Sequence, residues 1–156
     1  MYARKFGGPE RAAQIIGHVT DVAAASGIEF HLDRAVRANT LLAHRLLWFA
    51  EPRGVQIALK EELLRAYFTD GRNVADHDTL VEIAAGVGLA ADRARAILAG
   101  DEFAAEVRTV EQFFQQAGIT GVPAIIIERK HLISGGQPPE VFEQALRQIA
   151  AAKAAQ

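Results

Sequence analysis

Apolar residues recur at helical spacing through the first three-quarters of the chain. Ala12, Ile15, Ile16, Val19 and Val22 form the stripe of a first helix. It opens at Gly8-Pro9-Glu10, with Pro at the first helical position, where its missing N–H costs nothing, and it ends at Gly27. Ile28-Glu29-Phe30-His31-Leu32 alternates with period two and reads as a short extended piece. Asn39 caps the next helix, which carries Leu42, Leu46 and Phe49 on one face, with Leu41 and Trp48 beside it, and which Pro52-Arg53-Gly54 stops. From Gly54 to Phe68 a further helix turns Ile57, Leu63, Leu64, Tyr67 and Phe68 inward and Lys60, Glu61 and Arg65 outward. Asp76 or Asp78 caps a helix through Leu80 and Ile83, and a short one from Ala91 to Leu98 stops at Gly100. Asp101 caps a longer helix through Phe103, Val107, Val110, Phe113 and Phe114, halted by Gly118. The alanine-rich end from Ala150 to Gln156 is expected to fray.

The pattern then changes. Gly121-Val122-Pro123 leads into Ala124-Ile125-Ile126-Ile127, an apolar run without polar alternation that suits a strand buried on both faces of a sheet. His131-Leu132-Ile133-Ser134 follows as a second strand, then Gly135-Gly136-Gln137-Pro138-Pro139 and an amphipathic helix. The expected fold is mostly α with a small C-terminal ββα. Its helical lobe spans residues 1–117 and the ββα part 118–156.

The 156 residues suit one domain, or a helical lobe with a small appendage, and half of them are apolar, enough for a core. A formal charge of −2 argues against a nucleic-acid partner, which needs a clustered basic surface. No apolar run approaches the length that spans a bilayer, so no membrane partner is expected. The first nine residues lack the apolar stretch of a secretory signal, which makes the cytoplasm the default location. The cysteine count is zero. These residues therefore hold no disulfide, thiolate nucleophile or cysteine metal site.

Most polar motifs have structural readings. Asp76-His77-Asp78 invites a metal, but consecutive residues at a helix start diverge and no second cluster supports them, so capping is the stronger reading and no metal site is assigned. Ser134 lacks the strand–nucleophile–helix setting of an activated serine, and Gly135-Gly136-Gln137 lacks the spacing and lysine of a phosphate loop. No cofactor is assigned. Val122-Pro123 is the sharpest feature: only about one X–Pro bond in twenty is cis, so by itself it reads as a trans strand-entry proline.

Gly-Val-Pro at 121–123, Ser134-Gly135-Gly136-Gln137-Pro138-Pro139-Glu140, Leu64–Gly71 and Asn39-Thr40-Leu41-Leu42-Ala43-His44-Arg45-Leu46 resemble the FrnE-type subgroup of the DsbA-like thioredoxin-fold family. The resemblance runs through nearly the whole chain. It implies a helical insertion lobe joined to the closing half of a thioredoxin-like fold, and an oxidoreductase ancestry. It also implies that Pro123 is cis and that Val122 and Pro123 receive an extended peptide or glutathione backbone. Asn39, His44 and Arg45 fall on the insertion signature and become candidate substrate-binding residues, although capping, a structural hydrogen bond and an ion pair are their plainer roles.

In that pattern the Cys-x-x-Cys site and its strands come before the point matching Met1, so the chain reads as a truncated, thiol-less member with no catalytic residue. A strand deprived of its neighbour presents an open edge, which suggests a homodimer. A binding module for peptides is one alternative. The related glutathione-using 2-hydroxychromene-2-carboxylate isomerases and kappa-class transferases, which share Gly-Val-Pro, are another. Glu128-Arg129-Lys130 departs from the family's Asp-Gly turn and implies a different or strained hairpin.

Overall fold

The computed structural model describes residues 7–154. In it, the described residues form seven α-helices and one antiparallel hairpin. The helices are α1 (Pro9–Ala25), α2 (Leu41–Ala50), α3 (Gln56–Phe68), α4 (His77–Gly86), α5 (Ala91–Ala99), α6 (Ala104–Gln116) and α7 (Pro139–Ala154). A 3₁₀ turn at Glu51–Arg53 follows α2, and the strands are β1 (Ala124–Ile127) and β2 (His131–Ser134). The mostly helical, small-ββα architecture expected from the sequence is what the chain adopts. The expectations for Met1–Phe6 lie outside the described residues. The chain divides into two compact units, 1–108 and 109–156.

The first unit owns the core. Helix α2 packs on α3 and α5, α3 on α4, and α4 on α5. Leu46, Leu59, Leu80 and Ile97 are its fully buried large side chains, one from each of these four helices. Phe49 joins them, stacked against Phe103 and covered by the guanidinium of Arg53, 3.7 Å from the ring centre. That cation–π contact seals the core where α2 ends.

Helix ends follow local chemistry. Asp76 caps α4, its carboxylate accepting from the Thr79 N–H at 2.8 Å. Paired backbone bonds of the Schellman type close α1 (Gly27 to Ala24, Ile28 to Ala23) and α6 (Gly118 to Gln115, Ile119 to Phe114). Asp101 contributes its carbonyl rather than its side chain to the start of α6, accepting from Ala104 N–H.

Four expectations need correction. Ile28–Leu32 forms no strand. It is pinned to the end of α3 by His31 N–H donating to the Phe68 carbonyl and the Thr69 hydroxyl donating to the Glu29 carbonyl. On α3 the buried stripe is Leu59, Leu63 and Ala66, while Ile57 and Leu64 are 72% and 46% exposed. The helix is apolar on more than one side, and the spacing 59–63–66 wins because it meets α2 and α4. The alanine-rich end does not fray at Ala150: α7 continues to Ala154, and Lys153 reaches the carboxylate of Glu128 at 2.6 Å.

The fourth correction concerns β1. It pairs with β2 in the register Ala124–Ser134, Ile125–Ile133, Ile126–Leu132 and Ile127–His131. A two-stranded hairpin has no second layer to bury both faces, so Ile126 and Leu132 stay exposed and Ile125, Ile127 and Ile133 are only half-buried. No residue from 109 to 154 is buried. The hairpin keeps the strained turn: Glu128 and Arg129 both lie at positive φ (52° and 59°), the signature of a type I′ turn. The Lys130 N–H donates to the Ile127 carbonyl to close it.

Candidate functional site

The sequence-predicted residues fall into two places. Asn39, His44 and Arg45 belong to the first unit, Val122 and Pro123 to the second.

In the second unit the Val122–Pro123 bond is cis, as the family resemblance implies. Val122 is 91% exposed and stands two residues before the start of β1. The Pro123 carbonyl accepts from the Gly135 N–H at 2.9 Å, which ties the turn to the end of β2. Gln137 Nε2 donates to the Ser134 carbonyl at 2.8 Å, so the Gly-Gly-Gln stretch folds back on its own strand and cradles nothing. Beyond the turn, β1 is hydrogen-bonded on one side only, and its other edge faces no strand among the described residues.

In the first unit the three residues do different work. Asn39 Oδ1 accepts from the Leu41 N–H at 3.0 Å, so it satisfies the first helical donor rather than one deeper in the turn, and Thr40 occupies the cap position. Arg45 is 3% exposed. Its Nε donates to the Glu102 carbonyl at 2.7 Å, and its Nη2 donates to the carbonyls of Gly100 (2.8 Å) and Ile97. Arg45 thus gathers the C-terminal end of α5 and the loop after it, where helix-end carbonyls carry partial negative charge. The expected carboxylate partner is replaced by backbone oxygens.

His44 points outward and lines a groove of about 350 Å³ between α2 and α3. Thr40, the cap of α2, and Ala43, His44 and Leu47 on that helix stand at i, i+3, i+4 and i+7; Lys60, Leu63, Leu64 and Tyr67 on α3 have the same spacing. Phe68 and Val74 complete it. Helical spacing alone places Lys60 outward and Tyr67 inward. The matching spacing on two successive helices is the signal that joins them to His44. Phe68 is braced by a stacked contact with Phe30 (4.5 Å) and an edge contact with Tyr67 (4.8 Å).

Displaced carboxylates lie elsewhere. The Thr79 N–H holds Asp76 below its ordinary range, a hydrogen bond from Arg93 does the same for Glu102, and one from Lys153 for Glu128. These are caps and surface ion pairs, not a reacting pair. Among the described residues no group of His, Asp and Glu side chains could hold a metal ion, and no helix is long and apolar enough to cross a membrane.

The model of the DsbA-like thioredoxin domain matches residues 3–147. Among solved structures, the probable DsbA oxidoreductase of Streptomyces coelicolor is similar with a TM-score of 0.88 and 40% identity, over 95% of this chain and 64% of its own. The chain therefore spans less than two-thirds of that relative's length. A candidate protein disulfide isomerase from Nitrosomonas europaea shares the fold at a TM-score of 0.71 and 24% identity, covering 92% of this chain and 76% of its own. No curated protein matches. With the helical lobe, the Val-Pro turn, the ββα closing unit and the family match in agreement, the chain belongs to the DsbA-like thioredoxin-domain family.

Proposed function

We propose that these residues are the polypeptide-holding portion of a FrnE-type DsbA-like thiol–disulfide oxidoreductase, binding without themselves performing the exchange. The observation that carries this reading is a family match over 3–147 in a sequence with no cysteine. Disulfide exchange begins with attack by a thiolate, and no residue here can become one. The exposed Val122, set before a strand with an open edge, supports a binding role: an extended chain adds to such an edge through main-chain hydrogen bonds.

Two measurements test the reading. Insulin reduction with dithiothreitol should proceed at the rate of the thiol alone, and acceleration by the protein would overturn the non-catalytic assignment. An extended, cysteine-free peptide should shift the backbone amides of Val122 and Ala124–Ile127 in NMR spectra. Shifts with glutathione but not with peptide would instead favour the glutathione-using branch.

The same open edge suits a second copy. Two β1 strands related by a two-fold axis can pair antiparallel, giving a four-stranded sheet of order β2-β1-β1-β2. Sedimentation should show a dimer at micromolar concentration, and a monomer there would remove this part of the proposal.

A further inference from the structure

The groove between α2 and α3 is built mainly from apolar side chains, with Lys60 the one permanently charged residue in its lining. Leu47, Leu63 and Val74 form its apolar lining, and Thr40, His44 and Lys60 stand among its polar groups. Its volume of about 350 Å³ lies within the range of small-molecule sites. Lys60 makes no ion pair or hydrogen bond among those found in the described residues, although acidic neighbours surround it in sequence. Glu62 is instead engaged by Arg65 at 2.5 Å. No carboxylate lines the groove. An apolar floor with an unpaired lysine in its lining complements one chemistry better than others. It suits a ligand with a hydrocarbon body and a single negative charge.

We propose that the α2–α3 groove binds a small apolar carboxylate, its hydrocarbon part against Leu47, Leu63 and Val74 and its carboxylate at Lys60, with the Thr40 hydroxyl and His44 ring as neighbouring polar groups. A neutral molecule of the same shape forgoes the charge-assisted hydrogen bond. A cation meets Lys60 as a like charge. A phosphate or other multiply charged anion finds one permanent positive group and a floor that solvates none of its charge. The site lies wholly within the first unit and requires nothing of the Val122-Pro123 turn, so it stands or falls apart from the function proposed above.

The test titrates the full chain with sodium decanoate, 1-decanol and decylammonium by calorimetry, with amide shifts in NMR spectra to locate each ligand. Decanoate should bind about ten-fold more tightly than decanol, and decylammonium more weakly than either. Its shifts should centre on Ala43, His44 and Leu64. Lys60→Gln, at an exposed position that threatens no core contact, should bring decanoate down to the affinity of decanol. Leu64→Asn, also at an exposed position, should weaken both ligands together. Equal binding of decanoate and decanol, undiminished decanoate binding in Lys60→Gln, shifts centred outside the groove, or no binding at all would each overturn the proposal. So would an apolar tetrapeptide that binds more tightly through its free C-terminus than decanoate does, because the groove would then be a peptide site.

Discussion

Removing the guanidinium of Arg45 would leave the carbonyls of Ile97, Gly100 and Glu102 without their side-chain donor at the end of α5. Arg45→Ala should cost about 3 kcal/mol in urea denaturation, the scale of losing several hydrogen bonds to one buried charged group. Arg45→Lys should recover only part of it, because an ammonium cannot reproduce the planar fork. Gly71 is a second sensitive residue. At a φ of +66°, a Cβ there would sit 2.8 Å from Arg34 Cβ and 3.2 Å from the Arg34 carbonyl oxygen. Gly71→Ala should therefore destabilise by about 2 kcal/mol, from the left-handed backbone and from a clash with main chain that cannot step aside. Asp76 sets a pH dependence. Its carboxylate is held below its ordinary range in the folded state, so the stability it contributes is present above its unfolded pKa and lost as pH falls through the folded value. Acid should loosen the start of α4 below about pH 4. Asp76→Asn, which keeps an acceptor, should flatten that acid limb while leaving denaturation at neutral pH nearly unchanged. The sequence named Asp76 and Arg45 with unequal success. A cap is a local bond that reaches three residues, whereas the oxygens that hold Arg45 lie 52 to 57 residues away and become visible only once α5 is folded beside α2.

At the scale of elements, the hairpin turn offers the clearest lever. Glu128 and Arg129 occupy left-handed backbone that suits Asn and Gly. Arg129→Gly should relieve about 1 kcal/mol and slow hydrogen exchange at the strand amides of Ile127 and Ile133 about five-fold. Glu128 is better left in place, since it anchors Lys153. Helix positions and stops were legible because capping and glycine termination are local, and all six helices before the first strand stand where their spacing put them. The inward face of α3 was not. With Ile57, Leu59, Leu63, Leu64, Tyr67 and Phe68 wrapped around most of its circumference, no single stripe dominates, and the neighbours decide which side is covered. The groove followed from that choice. Leu64 was left at the surface beside Lys60, a pairing invisible to a reading that placed one inward and the other outward.

Across the whole molecule, the contrast between the two units governs what to expect. One holds a core of four helices, and the other, from 109 to 154, buries no side chain at all. The strand Ala-Ile-Ile-Ile, apolar throughout, is paired along one edge only among the described residues and stays at most half-buried. The free edge of β1 is where a second protomer is proposed to pair. Lowering the protein concentration should then lower the melting temperature of the second unit more than that of the first, because a dimer dissociates on dilution.

The placement of Trp48 turns this asymmetry into a practical matter. It is the single tryptophan of the chain and sits on α2, inside the helical lobe. Its emission therefore monitors the lobe in which it is packed. Circular dichroism at 222 nm, which sums every helix, should begin to fall at lower denaturant than the fluorescence does. Two optical probes that ought to trace one curve in a two-state protein would here trace two.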